Sequence, residues 1–348
     1  RDVERSRGLG DVYKRQMLLA LPTYGQNRET DYLSHVLEKM NAVESVTYHC
    51  VKKAWEPGDK EPGYNVPREI YEHVNPQDTA VGYSFLCASD KEFRQPLWVY
   101  DGTVFAYIEK EEKEVRIDDF TQKSPLPFRV IMPQAFGCMK SILEYALNTQ
   151  DSIVLSLKDE GKDYLMELSI HTPYQVEFFG KACYMPQNPY IYDPTSIYKI
   201  WISKENDMPY RYRREMQHSI SEDICSDFVY NPSGKGKIVA EDYYPADYVR
   251  RIKGEKSQKA TVDMTGKKAP DWTLTDMKGQ KVSLSGIKSK VILLQFTGIG
   301  CGPCKISIPF LNRLKKEYAV NELEVLAVET WGRSKSSGDC LLYTSDAA

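Results

Sequence analysis

Apolar positions follow two different periods along this chain. In residues 28–43 (RETDYLSHVLEKMNAV), Tyr32, Leu33, Val36, Leu37 and Met40 recur at 3.6-residue spacing, which predicts an amphipathic helix. The pattern then changes to short or alternating apolar runs at 46–53, 80–87, 97–100, 104–109, 114–117, 153–157, 164–170, 175–179, 197–203, 211–217, 224–230 and 237–241. Runs of this length and spacing predict strands, and Asp101-Gly102 between two of them is a hairpin-turn signal. One further helix is predicted over 134–148 (QAFGCMKSILEYALN). Strands in close succession, with turns between them, predict a meandering antiparallel sheet rather than alternating βαβ units. The 24 tyrosines agree with it, because aromatic side chains suit a half-buried pleated surface.

The pattern changes again near residue 250. The stretch 250–268 (RRIKGEKSQKATVDMTGKK) is basic, polar and without apolar period, so it reads as a linker. Charge divides at the same place: residues 17–262 hold 29 Lys+Arg and 37 Asp+Glu, whereas 263–333 hold 11 and 7. A length of 348 residues accommodates two domains, each with its own core. Forty-one per cent hydrophobic and 27% charged residues with a net charge of −3 argue against wholesale disorder and against a nucleic-acid-coating role. The longest apolar run, beginning at Met17, is too short for a transmembrane span.

The ends read differently from the body. Residues 1–16 (RDVERSRGLGDVYKRQ) and 334–348 carry no amphipathic period and read as translated sequencing-adapter sequence. Residues 17–26 (MLLALPTYGQ) read as the remnant of a signal peptide, with small residues Thr23 and Gly25 ahead of Gln26. The expected organisation is therefore an N-terminal β-rich domain at 27–250, a linker at 251–265 and a second domain at 266–333. Export would place the protein in the periplasm or cell envelope.

The second domain holds the strongest chemical signal. An apolar strand at 291–296 (VILLQF) leads through a short loop into Cys301-Gly302-Pro303-Cys304, a helix at 305–318 and another apolar strand at 323–328. Two intervening residues let the sulfurs meet around one tight turn. The helix N-terminus beside the first sulfur favours its thiolate. Cys301 is then the attacking nucleophile and Cys304 the resolving thiol, while Pro303 sits where a helix needs no backbone donor. A zinc site would need four ligands, and the segment has neither a second Cys-x-x-Cys nor any histidine.

The Cys-Gly-Pro-Cys tetrapeptide with Pro309 five residues beyond Cys304 resembles the thioredoxin family. The preceding GKKAPDWTLTDMKGQKVSLSGIKSKVILLQF resembles its TlpA/ResA-type branch, with Ala269-Pro270-Asp271-Trp272, Gly279 and Val282-Ser283-Leu284 matching the extra hairpin of that branch. The resemblance covers about 70 residues. It implies an α/β thioredoxin-like fold, a redox-active disulfide Cys301–Cys304 with no other cofactor and no metal, a disulfide-bearing protein client and an upstream electron donor. The chain departs from the family at several positions. Gly300 replaces a Trp, Gln295 a buried acid and Ser307 a Glu, which bears on rate and redox poise more than on reaction type. A peroxiredoxin is disfavoured, because Gly298 stands where that nucleophile needs Thr or Ser. The family also continues with a helix, two strands and a cis-proline loop. The sheet is therefore expected to be incomplete, with an unpaired edge after Val328, and this chain is allowed to be inactive where its natural parent is active.

The β-rich part resembles the LolA-like family of lipoprotein carriers, through LWVYDGTVFAYIEKEEKEVRIDDF and IYKIWISKENDMPYRYR. That resemblance implies an α+β domain built on a curved antiparallel sheet, an unclosed barrel with helices, whose concave face holds an apolar ligand or serves as a docking surface. Cys50, Cys87, Cys138, Cys183 and Cys225 sit singly in apolar contexts and read as buried small hydrophobes. In an exported protein some could pair; Cys50 with Cys87 is one candidate, and the connectivity stays open. Two functions follow: an exported thiol–disulfide oxidoreductase whose β-rich domain binds a client, a ligand or a membrane surface, or a non-enzymatic carrier of an apolar ligand or lipoprotein with a degenerate thioredoxin appendage.

Overall fold

The structure is a computed structural model; it describes residues 24–55, 59–131, 134–187, 193–255, 263–276, 278–298, 302–330 and 341–344. Residues 1–23 and 331–340, with most of the signal-peptide reading and part of the adapter readings, lie outside the described residues. The chain divides into two compact units, the first ending at Glu255 and the second comprising mainly the residues beyond it.

The first unit opens with helix α1 (Tyr24–Asn41) and six strands: β1 (Ser45–Trp55), β2 (Tyr64–Val74), β3 (Tyr83–Ala88), β4 (Pro96–Tyr100), β5 (Phe105–Glu109) and β6 (Glu114–Asp118). Helix α2 (Ala135–Asn148) follows, then β7 (Ile153–Asp159), β8 (Asp163–Ile170), β9 (Val176–Phe178), β10 (Ala182–Tyr184), β11 (Ser196–Ser203), β12 (Met208–Met216), β13 (Ser219–Tyr230) and β14 (Val249–Ile252). Twelve of these strands form one sheet in the order β14-β6-β5-β4-β3-β2-β1-β13-β12-β11-β8-β7. Its edges, β14 and β7, do not meet, so the sheet is unclosed; β9 and β10 pair separately as a small hairpin. Every pairing is antiparallel except that of β14 with β6. The fold is the α+β, mostly antiparallel arrangement that the alternation predicts.

Both helices lie on one face. Leu33, Val36 and Met40 of α1 and Phe136, Met139, Ile142 and Leu143 of α2 share a core with Val46, Tyr48, Ile70, Phe85, Leu168, Tyr198 and Ile200 of the sheet. On the other face a smaller cluster of Tyr71, Leu86, Val99, Ala106 and Val115 is covered by Ile238 and Ala240. The alternation at 237–241 thus marks a covering segment and not a strand. Its backbone runs into a 3-10 turn at Ala240–Tyr243, and the Ala240 N–H donates to Asp101 Oδ2 (3.1 Å).

Three strands of the first unit escape the sequence pattern: the short β10, and β2 and β14. β2 contains Pro67, which argues against a strand, yet Pro67 sits in the half of β2 that pairs with β1 alone; pairing with β3 begins only at Glu69. β14 (VRRI) carries the basic charge that reads as linker, but Arg251 pairs with Glu114 on β6 (2.9 Å) and the strand completes the edge.

Helix α2 starts without a side-chain cap of its own, since Gln134 makes no capping bond. A carboxyl group from the sheet supplies one. Glu72 on β2 accepts from the Phe136 and Gly137 N–H groups (3.0 Å each) and from the Tyr48 hydroxyl (2.5 Å), satisfying two of the helix's orphan donors. Burial pushes the Glu72 carboxyl up to about 7, against the three donors that favour its charged form. Position 137 must be glycine for this contact, because a Cβ there would lie 2.9 Å from Glu72 Oε2 and 3.0 Å from the Tyr83 ring.

Gly180, in the turn joining β9 to β10, has φ +85°, and a Cβ on it would stand 2.3 Å from the Val81 Cα. Its carbonyl accepts from Ser141 Oγ on α2 (2.7 Å), so the close approach also ties that turn to the helix. Gly180→Ala is expected to destabilise the first unit by about 2 kcal/mol, from left-handed strain and backbone displacement together. Equal urea midpoints for variant and wild type would contradict that account.

The second unit consists of β15 (Thr273–Asp276), β16 (Lys281–Ser283), β17 (Val291–Thr297), helix α3 (Gly302–Glu317), β18 (Leu323–Glu329) and β19 (Leu341–Thr344). The sheet order is β16-β15-β19-β18-β17. β17 and β18 run parallel, joined through α3, as a strand–helix–strand unit requires. The β18 edge expected to be unpaired after Val328 is occupied instead: Leu326, Ala327 and Val328 pair antiparallel with Thr344, Tyr343 and Leu342. Backbone donors and acceptors alone suffice for such pairing, which is why side-chain pattern at 334–348 does not announce it.

Candidate functional site

The carboxyl end of β17 and the first turn of α3 carry the predicted chemistry. β17 is a run of branched and apolar residues (VILLQFT), in register with β18 from Val291 opposite Leu323 to Thr297 opposite Glu329. The hairpin β15–β16 precedes it, turning at Gly279 with φ +79°. The hairpin's base is tied by Asp271, whose Oδ1 accepts from the Ser285 N–H (3.0 Å) and the Trp272 N–H (3.1 Å). These bonds hold the Asp271 carboxyl below the usual carboxylate range. Trp272, Leu274 and Val282 pack around buried Leu326 and Val328, so the Ala-Pro-Asp-Trp motif anchors the hairpin on the small core.

Helix α3 begins at Gly302, with Pro303 in its first turn where no backbone donor is needed, and ends with Lys315 and Lys316 near its carbonyl pole. Pro309 lies inside the helix and is exposed; having no N–H, it removes one rung of the helical ladder just beyond the site. Cys304 is half-buried and disulfide-bonded. The five cysteines of the first unit are all free thiols, so its partner is none of them. Cys301, the predicted nucleophile, lies outside the described residues.

Below Cys304 the two residues that depart from the thioredoxin pattern are brought together. The Ser307 hydroxyl donates to the Cys304 carbonyl (2.6 Å). The Gln295 amide donates to Ser307 Oγ and, at 3.4 Å, to the same carbonyl. Gln295 and Ser307 therefore form a neutral network that braces the helix start without offering a carboxylate. One acid does reach this end of the sheet. Glu329, 3% exposed, closes β18 opposite Thr297, and the following Thr330 donates both its N–H (2.9 Å) and its hydroxyl (3.1 Å) to the Thr297 carbonyl. Sequence reading passed over Glu329; the signal available was a charged residue directly continuing a buried apolar run.

Comparison with known proteins agrees with this geometry. Residues 265–337 match the AhpC/TSA family. The chain is 36% identical over 64 residues to the thiol-disulfide oxidoreductase ResA of Bacillus thuringiensis (strain Al Hakam), covering 18% of this chain and 37% of that protein. It is 39% identical over 80 residues to the thioredoxin-like protein YneN of Bacillus subtilis (strain 168), covering 23% and 46%. The chain thus spans less than half the length of these relatives. A LolA superfamily protein from Nitrosomonas europaea aligns with 62% of this chain and 99% of its own, at 10% identity and a TM-score of 0.25. The AhpC/TSA-type segment takes in β15 through β18, and with them the hairpin, Cys304 and the Gln295–Ser307 network.

The first unit offers a second candidate, a cavity of about 280 Å³ whose wall includes Ile131, Phe178, Phe179, Tyr198 and Tyr212. Charged side chains share the lining: Lys52, Glu177 and Arg214, the last two paired with one another. Tyr198 is also packed in the core of the unit, and residues 188–192 lie outside the described residues. Among the described residues no group of three His, Cys, Asp or Glu could hold a metal ion, and no helix is long and apolar enough to cross a membrane.

Proposed function

We propose that this chain is part of an exported thiol–disulfide oxidoreductase working through Cys301 and Cys304, with the β-rich unit binding its client, a ligand or a membrane surface. The observation that carries the proposal is a disulfide-bonded Cys304 in the first turn of α3, directly beyond β17 in a parallel strand–helix–strand unit. Open α/β sheets place their chemistry at the carboxyl ends of strands, and a helix N-terminus there favours the thiolate of the residue that opens it. Similarity to ResA over 64 residues supports the reaction class.

In the reducing direction, the Cys301 thiolate attacks one sulfur of a client disulfide and the client's other sulfur leaves as a thiolate. Cys304 then loses its proton and attacks the Cys301 sulfur of the mixed disulfide, which releases the reduced client and leaves the Cys301–Cys304 disulfide. An upstream dithiol returns two electrons and two protons. Gly302 and Pro303 fix the tight turn, Pro309 loosens the helix one turn beyond it, and Gln295 with Ser307 holds the Cys304 backbone. The carrier reading rests on the cavity in the first unit. Its volume is at the lower limit of ligand clefts (roughly 300 Å³), and its lining is part charged, which favours the redox reading.

The neutral Gln295 predicts a slow second step. Gln295→Glu adds a carboxylate beside the Cys304 turn, and the release of client from the mixed disulfide is expected to accelerate by about tenfold at neutral pH. Stopped-flow measurement of that release checks it; an unchanged rate would mean that another base serves Cys304.

A further inference from the structure

The five cysteines of the first unit are not equivalent in the sheet. Cys183 faces Glu177 across its hairpin, Cys87 faces Ile70 and Trp98, and Cys138 lies on α2. Cys50 on β1 and Cys225 on β13 face one another directly. Both residues are 4% exposed and belong to the same core.

The next row of the same two strands completes a quartet. Lys52 stands opposite Asp223, two residues along from Cys50 and Cys225 and on the same face. Asp223 is itself 4% exposed, and its Oδ1 accepts from the Cys50 thiol (3.4 Å) while its Oδ2 accepts from the Lys52 ammonium (2.9 Å). Lys52 borders the cavity described above, as does Tyr212. A buried thiol pair is thus joined to a carboxylate, and that carboxylate to an ammonium at a cavity wall. Packing of two small hydrophobes requires none of these polar groups; removing protons from two adjacent sulfurs does.

We propose that Cys50 and Cys225 close to a reversible cross-strand disulfide between β1 and β13, with Asp223 positioned to take the proton from Cys50. The oxidant is a disulfide of a small thiol or of a protein. The Cys50 thiolate attacks one of its sulfurs, forming a mixed disulfide and releasing the first thiolate. Cys225, deprotonated in turn, attacks the Cys50 sulfur and releases the second. Two electrons pass to the oxidant, and the two protons end on the two thiols it becomes. Directly opposed strand residues hold their Cβ atoms about 4.5–5.5 Å apart, and a disulfide draws them to about 3.5–4.5 Å. The register irregularity between Thr47 and His49, just before Cys50, is where β1 can take up that adjustment. The closed bond would link two neighbouring interior strands across about 175 residues of chain, and its tightness makes it readily reduced.

The test uses the full chain carrying Cys301→Ser and Cys304→Ser, so that its outcome does not depend on the proposed dithiol reaction. The protein is exposed to oxidised glutathione both folded and during refolding, then denatured, alkylated and mapped by mass spectrometry. Expected is a peptide containing Cys50 joined to one containing Cys225, lost again in dithiothreitol, with a raised urea midpoint for the oxidised form. Adding Cys225→Ser should instead leave a glutathione mixed disulfide on Cys50. Full alkylation of Cys50 and Cys225 in both arms, or Cys50 joined to Cys87, overturns the proposal. Asp223→Asn is expected to slow closure by about tenfold without lowering its final yield; an unchanged rate overturns the role given to Asp223.

Discussion

Cys301→Ser is expected to lower insulin-disulfide reduction by roughly 10³-fold or more, whereas Cys304→Ser should stop turnover with client still attached. The asymmetry follows from position. In the proposed mechanism Cys301 attacks the client, and Cys304, half-buried in the first turn of α3, acts only on a sulfur already bound to Cys301. A covalent Cys301–client adduct visible on a non-reducing gel for Cys304→Ser, and absent for Cys301→Ser, is the decisive outcome. Adducts on Cys304 in the Cys301→Ser protein would reverse the assignment. Reduction by neither variant nor wild type would leave the AhpC/TSA-type segment inert and favour the carrier reading.

The second large effect concerns stability. Glu72→Ala removes the acceptor for three buried donors, the Tyr48 hydroxyl and the Phe136 and Gly137 N–H groups, and is expected to cost about 3–5 kcal/mol. Glu72→Gln keeps one acceptor oxygen and should cost less, but it also removes a titration. The native carboxyl is raised by burial to about 7 from its ordinary value of 4.5, so between those values the folded chain binds more protons than the unfolded one. Its contribution to stability is full below about pH 4.5 and is lost as pH rises through about 7, at no more than about 1.4 kcal/mol per pH unit. Wild-type stability should therefore fall relative to Glu72→Gln over that interval. Parallel pH profiles from urea titration would show that Glu72 is already charged in the folded chain.

Much of this architecture is visible in the sequence because burial imposes a period. Leu33, Val36 and Met40 announce α1, and the alternating burial of β11 repeats the alternation of its residues. Where burial does not alternate, the pattern misleads. Ile238 and Ala240 alternate as a strand would, although what they do is cover the second face of the sheet. Pro67 hides β2 because a sequence does not say on which side a strand has a neighbour. The strand–helix–strand unit that carries Cys304 could be read because its pattern is local. The Glu72 cap and the Cys50–Cys225 pairing could not, since each joins residues brought together only by strand register.

The edge strand β14 also decides what the sheet of the first unit presents beyond β6. It is held to β6 by four residue pairs and by Arg251 and Lys253 on Glu114 and Asp118, and the chain continues from it towards β15. Peeling residues 249–255 away would leave the backbone donors and acceptors of β6 as an open sheet edge. β14 is thus the guard on that edge, and the Arg251–Glu114 pair, the more sheltered of its two ion pairs, is the one that salt weakens least.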